Sequence, residues 1–394
     1  MPNMSSLCLH NGTVVTGFSV MDRCAVLIEN GKIADVFSRN RFNQRSFDSH
    51  TQVIDVEGSI IAPGFIDTHI HGFGGYGVED SSAESILTMS RLLADHGVTA
   101  FNPTIYPSEP PEMIHCVKET VSAMGREEGA QIMGIHLEGP FISPARLGAM
   151  KAEYVMPVDL VFMEQLWEAA EGKIVNMTVA PELKGMRELA LFCVKKGIVL
   201  QAGHTDAKYE NMVEGMQAGI LHCTHLFNAM SRMEHRNPNA VGAVLIHPEV
   251  SCEIIADGFH IHPHLYKLLQ RNKAADRIVL VTDALKPTEQ DQGPLLAYGD
   301  EMVFKDGVFY RKADDIITGS ALTMIRGVMN LVNSGFSLED AVRTASFNPA
   351  QVMGYRTKGG LLPGMDADLV VFSKNFRILS VVARGELKKN LFAA

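Results

Sequence analysis

Pro63-Gly64-Phe65-Ile66-Asp67-Thr68-His69-Ile70-His71-Gly72 is an apolar run that ends in two histidines two positions apart. Side chains of an extended strand alternate between faces, so residues i and i+2 point the same way, with Cα atoms roughly 6–7 Å apart. Two imidazoles so placed reach one cation, and neutral imidazole is a common ligand for borderline divalent metals. Taken alone, the pair fits two satisfied structural histidines equally well. The remaining ligands of any metal must come from other parts of the chain.

Outward from this stretch, residues 61–355 alternate short apolar runs with amphipathic helical patterns. The strand expectations are 60–69, 98–104, 132–138, 175–180, 198–204, 220–225, 252–257 and 278–283. Helices are expected over 83–96, 111–124, 186–196, 264–272, 321–333 and 338–345. Eight strands in βα alternation predict an α/β fold, a (β/α)8 TIM-like barrel. Both ends of the chain read differently. Residues 1–60 carry Asn30-Gly31 between apolar runs, the signature of a tight hairpin, and 356–394 hold two more β-rich runs behind the turn-rich Gly359-Gly-Leu-Leu-Pro-Gly364. They predict a small β-sandwich domain built from 1–60 and 356–394, beside a barrel spanning 61–355. Asp306-Gly307, between Met302-Val-Phe and Val308-Phe-Tyr, predicts a hairpin inserted after the eighth strand and able to cover the barrel mouth.

Composition narrows the function. The 394 residues carry 35 basic and 45 acidic side chains, a formal charge of -10, with no basic stretch able to track a phosphate backbone. Nucleic acid is not an expected partner. Six scattered cysteines without C-x-x-C spacing suit a reducing compartment. The N-terminus lacks the basic start and apolar core of a signal peptide, and no run approaches the ~18 apolar residues of a membrane span. The expectation is a cytoplasmic protein with no membrane partner.

In such a barrel the active site forms at the C-terminal ends of the strands. The first expected strand ends in His69 and His71, the third in Glu138, the fifth in His204, the sixth in His225 and the eighth in Asp283. Each has a plain structural reading: a lone histidine satisfied in the core, an Asp283 that caps the next helix, a Glu138 that turns the chain before Pro140. Their joint occurrence at successive strand ends overturns those readings and predicts ligands for one or two divalent metals.

These residues sit in recognisable segments. His136-Leu-Glu-Gly-Pro-Phe141, Ala202-Gly-His-Thr-Asp206, Thr224-His-Leu-Phe-Asn-Ala-Met230, Ile255-Ala-Asp-Gly-Phe-His260, Val281-Thr-Asp-Ala284 and Thr318-Gly-Ser-Ala-Leu-Thr-Met324, with the opening stretch, resemble the N-acetylglucosamine-6-phosphate deacetylase family of the amidohydrolase superfamily. The resemblance covers nearly the whole chain. It implies a hydrolase that releases acetate from an amino-sugar 6-phosphate, with Glu138, His204 and His225 as main metal ligands and His69 and His71 as the pair for a second metal. It implies Asp283 as catalytic acid/base. Ala149, Met150, Asn228, Ala229, Ile317, Thr318 and Gly319 then fall on substrate-contacting positions, and Arg236 and His260 on phosphate contacts. It also implies a homodimer in which His260 reaches the neighbouring subunit's site.

One departure stands out. After Glu-Gly-Pro the family usually carries a polar residue facing substrate, where this chain reads Gly148-Ala-Met150. Methionine donates no hydrogen bond. Either the metals alone polarise the carbonyl, or the acyl group or sugar differs, or a neighbour such as Lys151 takes over. A cyclic amidase of the same superfamily is the alternative enzyme, and its metal-bridging lysine would fall near Ala180-Pro-Glu-Leu-Lys184. A non-catalytic barrel would have no reason to keep every metal position. Histidine and carboxylate donors suit zinc foremost, and equally accept iron, manganese or cobalt.

Overall fold

The computed structural model describes residues 6–392. Eight parallel strands form the barrel: Phe65–Ile70, Val98–Ile105, Ile135–Glu138, Ile174–Val179, Val199–Ala202, His222–Cys223, Ser251–Ile255 and Ile278–Val281. Each pairs with its successor from the first to the eighth. Between the eighth and the first a side chain and a few main-chain hydrogen bonds past the strand end take the place of a regular ladder. The Asp67 carboxylate accepts from the backbone N–H of Thr282 at 3.2 Å and from its hydroxyl at 2.6 Å, and Asp283 N–H donates to the carbonyl of His69 at 2.9 Å. Burial pushes Asp67 up to about 7 even though the Thr282 hydrogen bonds lower it.

The expected strand 60–69 is in fact two strands in two different sheets. Ile60–Pro63 pairs antiparallel with Leu369–Phe372 and parallel with Thr13 and Val14, whereas Phe65–Ile70 enters the barrel. The break falls at Gly64, where a Cβ would lie 2.2 Å from Thr99 Oγ1, so only glycine lets the chain pass that close to the second strand. Apolar residues run straight through the break because both strands are buried, so the change of partner leaves no mark on the pattern.

The terminal strands form one continuous eight-stranded sheet. The pairing of Ile61 with Val371 joins its N-terminal strands to its C-terminal strands. Val26, Ile28, Ile54, Ile61, Leu369 and Val382 are among the buried residues of its apolar cluster. Asn30 and Gly31 have φ of 52° and 74° and connect Val20–Glu29 to Lys32–Ser38, the expected tight hairpin.

Apolar side chains of the barrel strands meet the surrounding helices, such as Ala83–Asp95, Pro110–Ala123 and Met186–Lys196, in the main core. Inside the barrel the filling is polar. Asn102 donates to Asn176, Asn176 to Gln201, and Gln201 to Glu253, at 3.2, 3.1 and 3.1 Å. Strands two and four, and five and seven, are not neighbours, so the first and last of these bonds run across the barrel interior, while the middle one joins adjacent strands. After the eighth strand, Leu296–Ala297, Asp300–Lys305, Val308–Arg311 and Ile317–Ser320 form a separate antiparallel sheet, with Asp306 and Gly307 at its tip. Arg311 of this sheet donates to the carbonyl of Ala149 at 3.1 Å, which ties it across the barrel mouth. Among the described residues no helix is long and apolar enough to cross a membrane.

Candidate metal centre and active site

Glu138 is the last residue of the third strand, and His204, His225 and Asp283 each lie two residues beyond the end of theirs. These three residues have φ of 46°, 24° and 49°. A non-glycine residue held there costs of order 1–3 kcal/mol, a strain that surrounding structure must hold in place. The carbonyl of His204 accepts from Ser143 N–H at 2.8 Å, and Asp283 N–H is held by His69 as above. His69 lies within the first strand and His71 directly after it, on the same face, as their spacing predicts.

The side chains converge on Glu138. Its Oε1 lies 3.2 Å from His204 Nε2 and 3.0 Å from His225 Nε2, while Oε2 lies 3.1 Å from His71 Nε2. His69 Nε2 approaches Oε1 at 3.4 Å without hydrogen-bond geometry. Two groups of three result, His69 with His71 and Glu138, and Glu138 with His204 and His225, and in each the ligand atoms lie within 4.8 Å of one another. Asp283 Oδ1 stands over the first group, 3.2 Å from His71 Nε2 and 3.6 Å from His69 Nε2.

The donor set fits a divalent cation. His69 Nε2 is a buried nitrogen with no hydrogen-bond partner, aimed between two carboxylates. Such an orphan costs about 1–3 kcal/mol, and a metal ion in the cluster would satisfy it. Electrostatics agree. Burial pulls the His69 and His71 rings down, but Glu138 and Asp283 outweigh it, holding His69 well above the usual imidazole range and His71 at about 9. Burial likewise pushes Glu138 up, and His69, His204 and His225 reverse this and hold it well below the carboxylate range. Without metal the imidazoles and carboxylates stabilise one another's charge, and a bound cation would take the place of the imidazole protons.

Above the ligands opens a cavity of about 430 Å³. Ala149, Met150, Asn228, Ala229, His260, Ile317 and Gly319 line it, together with Lys151. Thr318 is buried behind the lining, its hydroxyl donating to the carbonyl of Ile316 at 3.2 Å. Arg236 lies exposed in the turn between Glu234 and Asn237, away from the lining of this chain's cavity. His260 lines the cavity of its own chain, its Nδ1 donating to Asp257 at 2.6 Å, so its reach into this cavity requires no second copy. Burial pulls its imidazole down, but Asp257 outweighs this and raises it. Lys184 stands outside both metal-binding groups, and Glu138 fills the shared position.

Three lining or supporting residues escape a reading of the sequence. Tyr106, one residue past the second strand, and Tyr298, in the inserted segment, pack edge to face at 4.0 Å and both face the His71 ring. Neither position follows a strand-end rule that the sequence displays. Glu253 did leave a signal: it is a charged residue in the apolar Ser251-Cys-Glu-Ile-Ile255, fully buried inside the barrel.

A nearly closed parallel barrel with histidines and a shared carboxylate at its strand ends defines a metal-dependent hydrolase of the amidohydrolase kind. The chain belongs to the amidohydrolase family, whose model matches residues 60–388. Within it the chain is similar to amino-sugar-phosphate deacetylases, among them N-acetylglucosamine-6-phosphate deacetylases and an N-acetylgalactosamine-6-phosphate deacetylase of Escherichia coli O157:H7. The N-acetylglucosamine-6-phosphate deacetylase of Bacillus subtilis is 32% identical over 391 residues, 97% of each chain. The crystal structure of N-acetylglucosamine-6-phosphate deacetylase from Pasteurella multocida superposes with a TM-score of 0.91 at 28% identity, over 98% of this chain and 100% of that one. The enzyme from Mycobacterium smegmatis, solved with N-acetyl-D-glucosamine-6-phosphate, gives 0.90 at 28% identity, over 98% and 100%.

Proposed function

We propose that the protein removes the acetyl group from N-acetyl-D-glucosamine 6-phosphate, giving D-glucosamine 6-phosphate and acetate. The observation that carries this reading is the pair of three-ligand groups sharing Glu138, with Asp283 beside them at the floor of a substrate-sized cavity. The deacetylase relatives, matched along almost their whole length, support it.

Glu138, His204 and His225 would hold the main metal, and His69 and His71 with Glu138 a second. Zinc suits these donors, as do iron, manganese and cobalt. A divalent cation supplies a lowered pKa for water and polarisation of an acyl oxygen. The chain's own residues do the rest. Burial pushes the Asp283 carboxyl up, but His69 and His71 outweigh it and keep it below its usual range, so it is ionised and able to accept a proton. Its carboxylate takes the proton of the attacking water and delivers it to the amide nitrogen, without which the amine cannot leave. Asn228 and the Ala229 backbone hold the sugar, and Met150, with no donor, meets substrate by packing alone. Raised by Asp257, His260 offers an imidazolium to the phosphate. Arg236, exposed, is free to serve the phosphate of a partner's site in a homodimer. Within the described residues, 6–63 with 356–392 would make the small β domain and 64–355 the catalytic barrel, the boundary expected at 60 moving to Gly64 because Ile60–Pro63 pairs in the terminal sheet.

Acetate release from N-acetylated amino sugars, with and without the 6-phosphate and alongside elemental analysis, tests the reading. Release from N-acetylglucosamine 6-phosphate and little from the free sugar is expected. Equal turnover of both removes the phosphate role of His260 and Arg236.

A further inference from the structure

The seventh barrel strand, Ser251–Ile255, supplies no residue to either metal-binding group, yet it places a fully buried carboxylate directly beneath both. Glu253 Oε2 lies 3.0 Å from His69 Nδ1 and accepts from the backbone N–H of His225 at 3.4 Å. Its other oxygen accepts from Gln201 Nε2 at 3.1 Å and stands 3.7 Å from His222 Nε2. One oxygen thus touches a ligand of the first group and the main chain of a ligand of the second.

An imidazole that binds a metal is neutral, with its proton on one nitrogen and its lone pair on the other. An ionised carboxylate is only an acceptor, so the nitrogen facing Glu253 must be the donor. That leaves the lone pair on Nε2, the atom that has no hydrogen-bond partner and faces Glu138 and Asp283. Rotation of the ring is hindered by His136, packed edge to face on it at 4.5 Å. The other rings are supported differently. His204 Nδ1 pairs with the carbonyl of Arg146 at 2.9 Å, and the Nδ1 atoms of His71 and His225 have no partner.

We propose that Glu253 is a positioning residue: it fixes His69 with Nε2 aimed into the cluster and thereby sets the affinity of the His69–His71–Glu138 group for its metal. The proposal rests on the two-metal reading above. Removal of such a support lowers metal affinity by about 10–100-fold.

The test uses the full chain, stripped of metal and titrated with cobalt(II), with bound equivalents read by equilibrium dialysis and by visible absorption. The parent is expected to bind two equivalents. Glu253→Leu, similar in size but without an acceptor, is expected to weaken one of them about 10–100-fold and the other, which Glu253 touches only through the His225 main chain, much less. Glu253→Gln, which keeps an acceptor oxygen, is expected to fall between leucine and the parent. In metal-free protein labelled with 15N-histidine, the downfield Nδ1–H signal of His69 is expected to be lost in the leucine variant. If the leucine chain does not fold, the glutamine chain decides by the same titration. Two equivalents bound at parental strength, or both weakened alike, overturns the role of Glu253. A parent that binds a single equivalent overturns the two-metal reading itself and the proposal with it.

Discussion

Two corners of the barrel mouth hold histidines by different means. At the first-strand corner, His69 and His71 sit side by side on nearly continuous strand, and the His69 ring rests on a buried carboxylate. At the opposite corner, His204 and His225 come from separate strands, each at positive φ, and the His204 ring is fixed by a main-chain carbonyl from the loop after Glu138. The first arrangement is local and follows from the pleat of one strand. The second exists only when two strands and a loop are already in place. Glu138 is the single side chain common to both.

The comparison breaks most sharply at that shared residue. Glu138→Ala should release both metal equivalents and abolish acetate production; retention of one equivalent by elemental analysis would mean the corners are independent. Asp283→Asn comes next. It leaves every ligand in place, so both equivalents should remain while kcat falls by about 10²–10⁴, the usual contribution of a general acid/base. An active variant with metal bound would reassign the proton transfer.

Away from the metal corners, His260→Ala should raise KM for the 6-phosphate substrate by about 10–100-fold, the loss of one charge-assisted hydrogen bond, with kcat little changed. The pH dependence has a defined sign. Asp257 raises the His260 imidazole, so the cation persists above the ordinary histidine range, and KM should rise as pH climbs through that raised value. Asp257→Asn removes the cause and should move that rise to lower pH; an unmoved profile would assign the titration to another group.

The smallest effect sharpens the fifth-strand corner. Gly148 has φ of +59°, and a Cβ there would come within 3.0 Å of His204 Cε1. Gly148→Ala should cost about 1 kcal/mol or somewhat more, read as a Tm lowered by a few degrees. Cobalt should weaken only at the group containing His204. Equal weakening at both groups would show that the loop supports the whole mouth.

Much of this was legible beforehand. The βα alternation revealed the barrel, and all six strand-end residues, His69, His71, Glu138, His204, His225 and Asp283, meet at one place. The tight turn at Asn30-Gly31 and the inserted hairpin at Asp306-Gly307 follow from residues that accept positive φ. The split at Gly64 did not show, because two consecutive buried strands have the same apolar pattern whichever sheet they enter. Arg236 is a phosphate contact only by the family resemblance; by its residues it is a loop charge, and in this chain it stands exposed outside the cavity.

The sequence by itself determined the local devices. These are the i, i+2 histidine pair, the turn glycines, the alternation of strand and helix, and the segments that mark an amidohydrolase. Each depends on residues a few positions apart, where backbone geometry alone relates one side chain to the next. Only the tertiary structure decided that Glu138 serves two groups, that Asp67 bridges the first strand to the eighth, that Glu253 lies beneath His69, and that Tyr106 meets Tyr298 over His71. Those relations join residues up to 215 positions apart, as Asp67 and Thr282 are, and no periodicity encodes them. They arise when a curved sheet closes on itself, and closure turns five separate strand ends into one site.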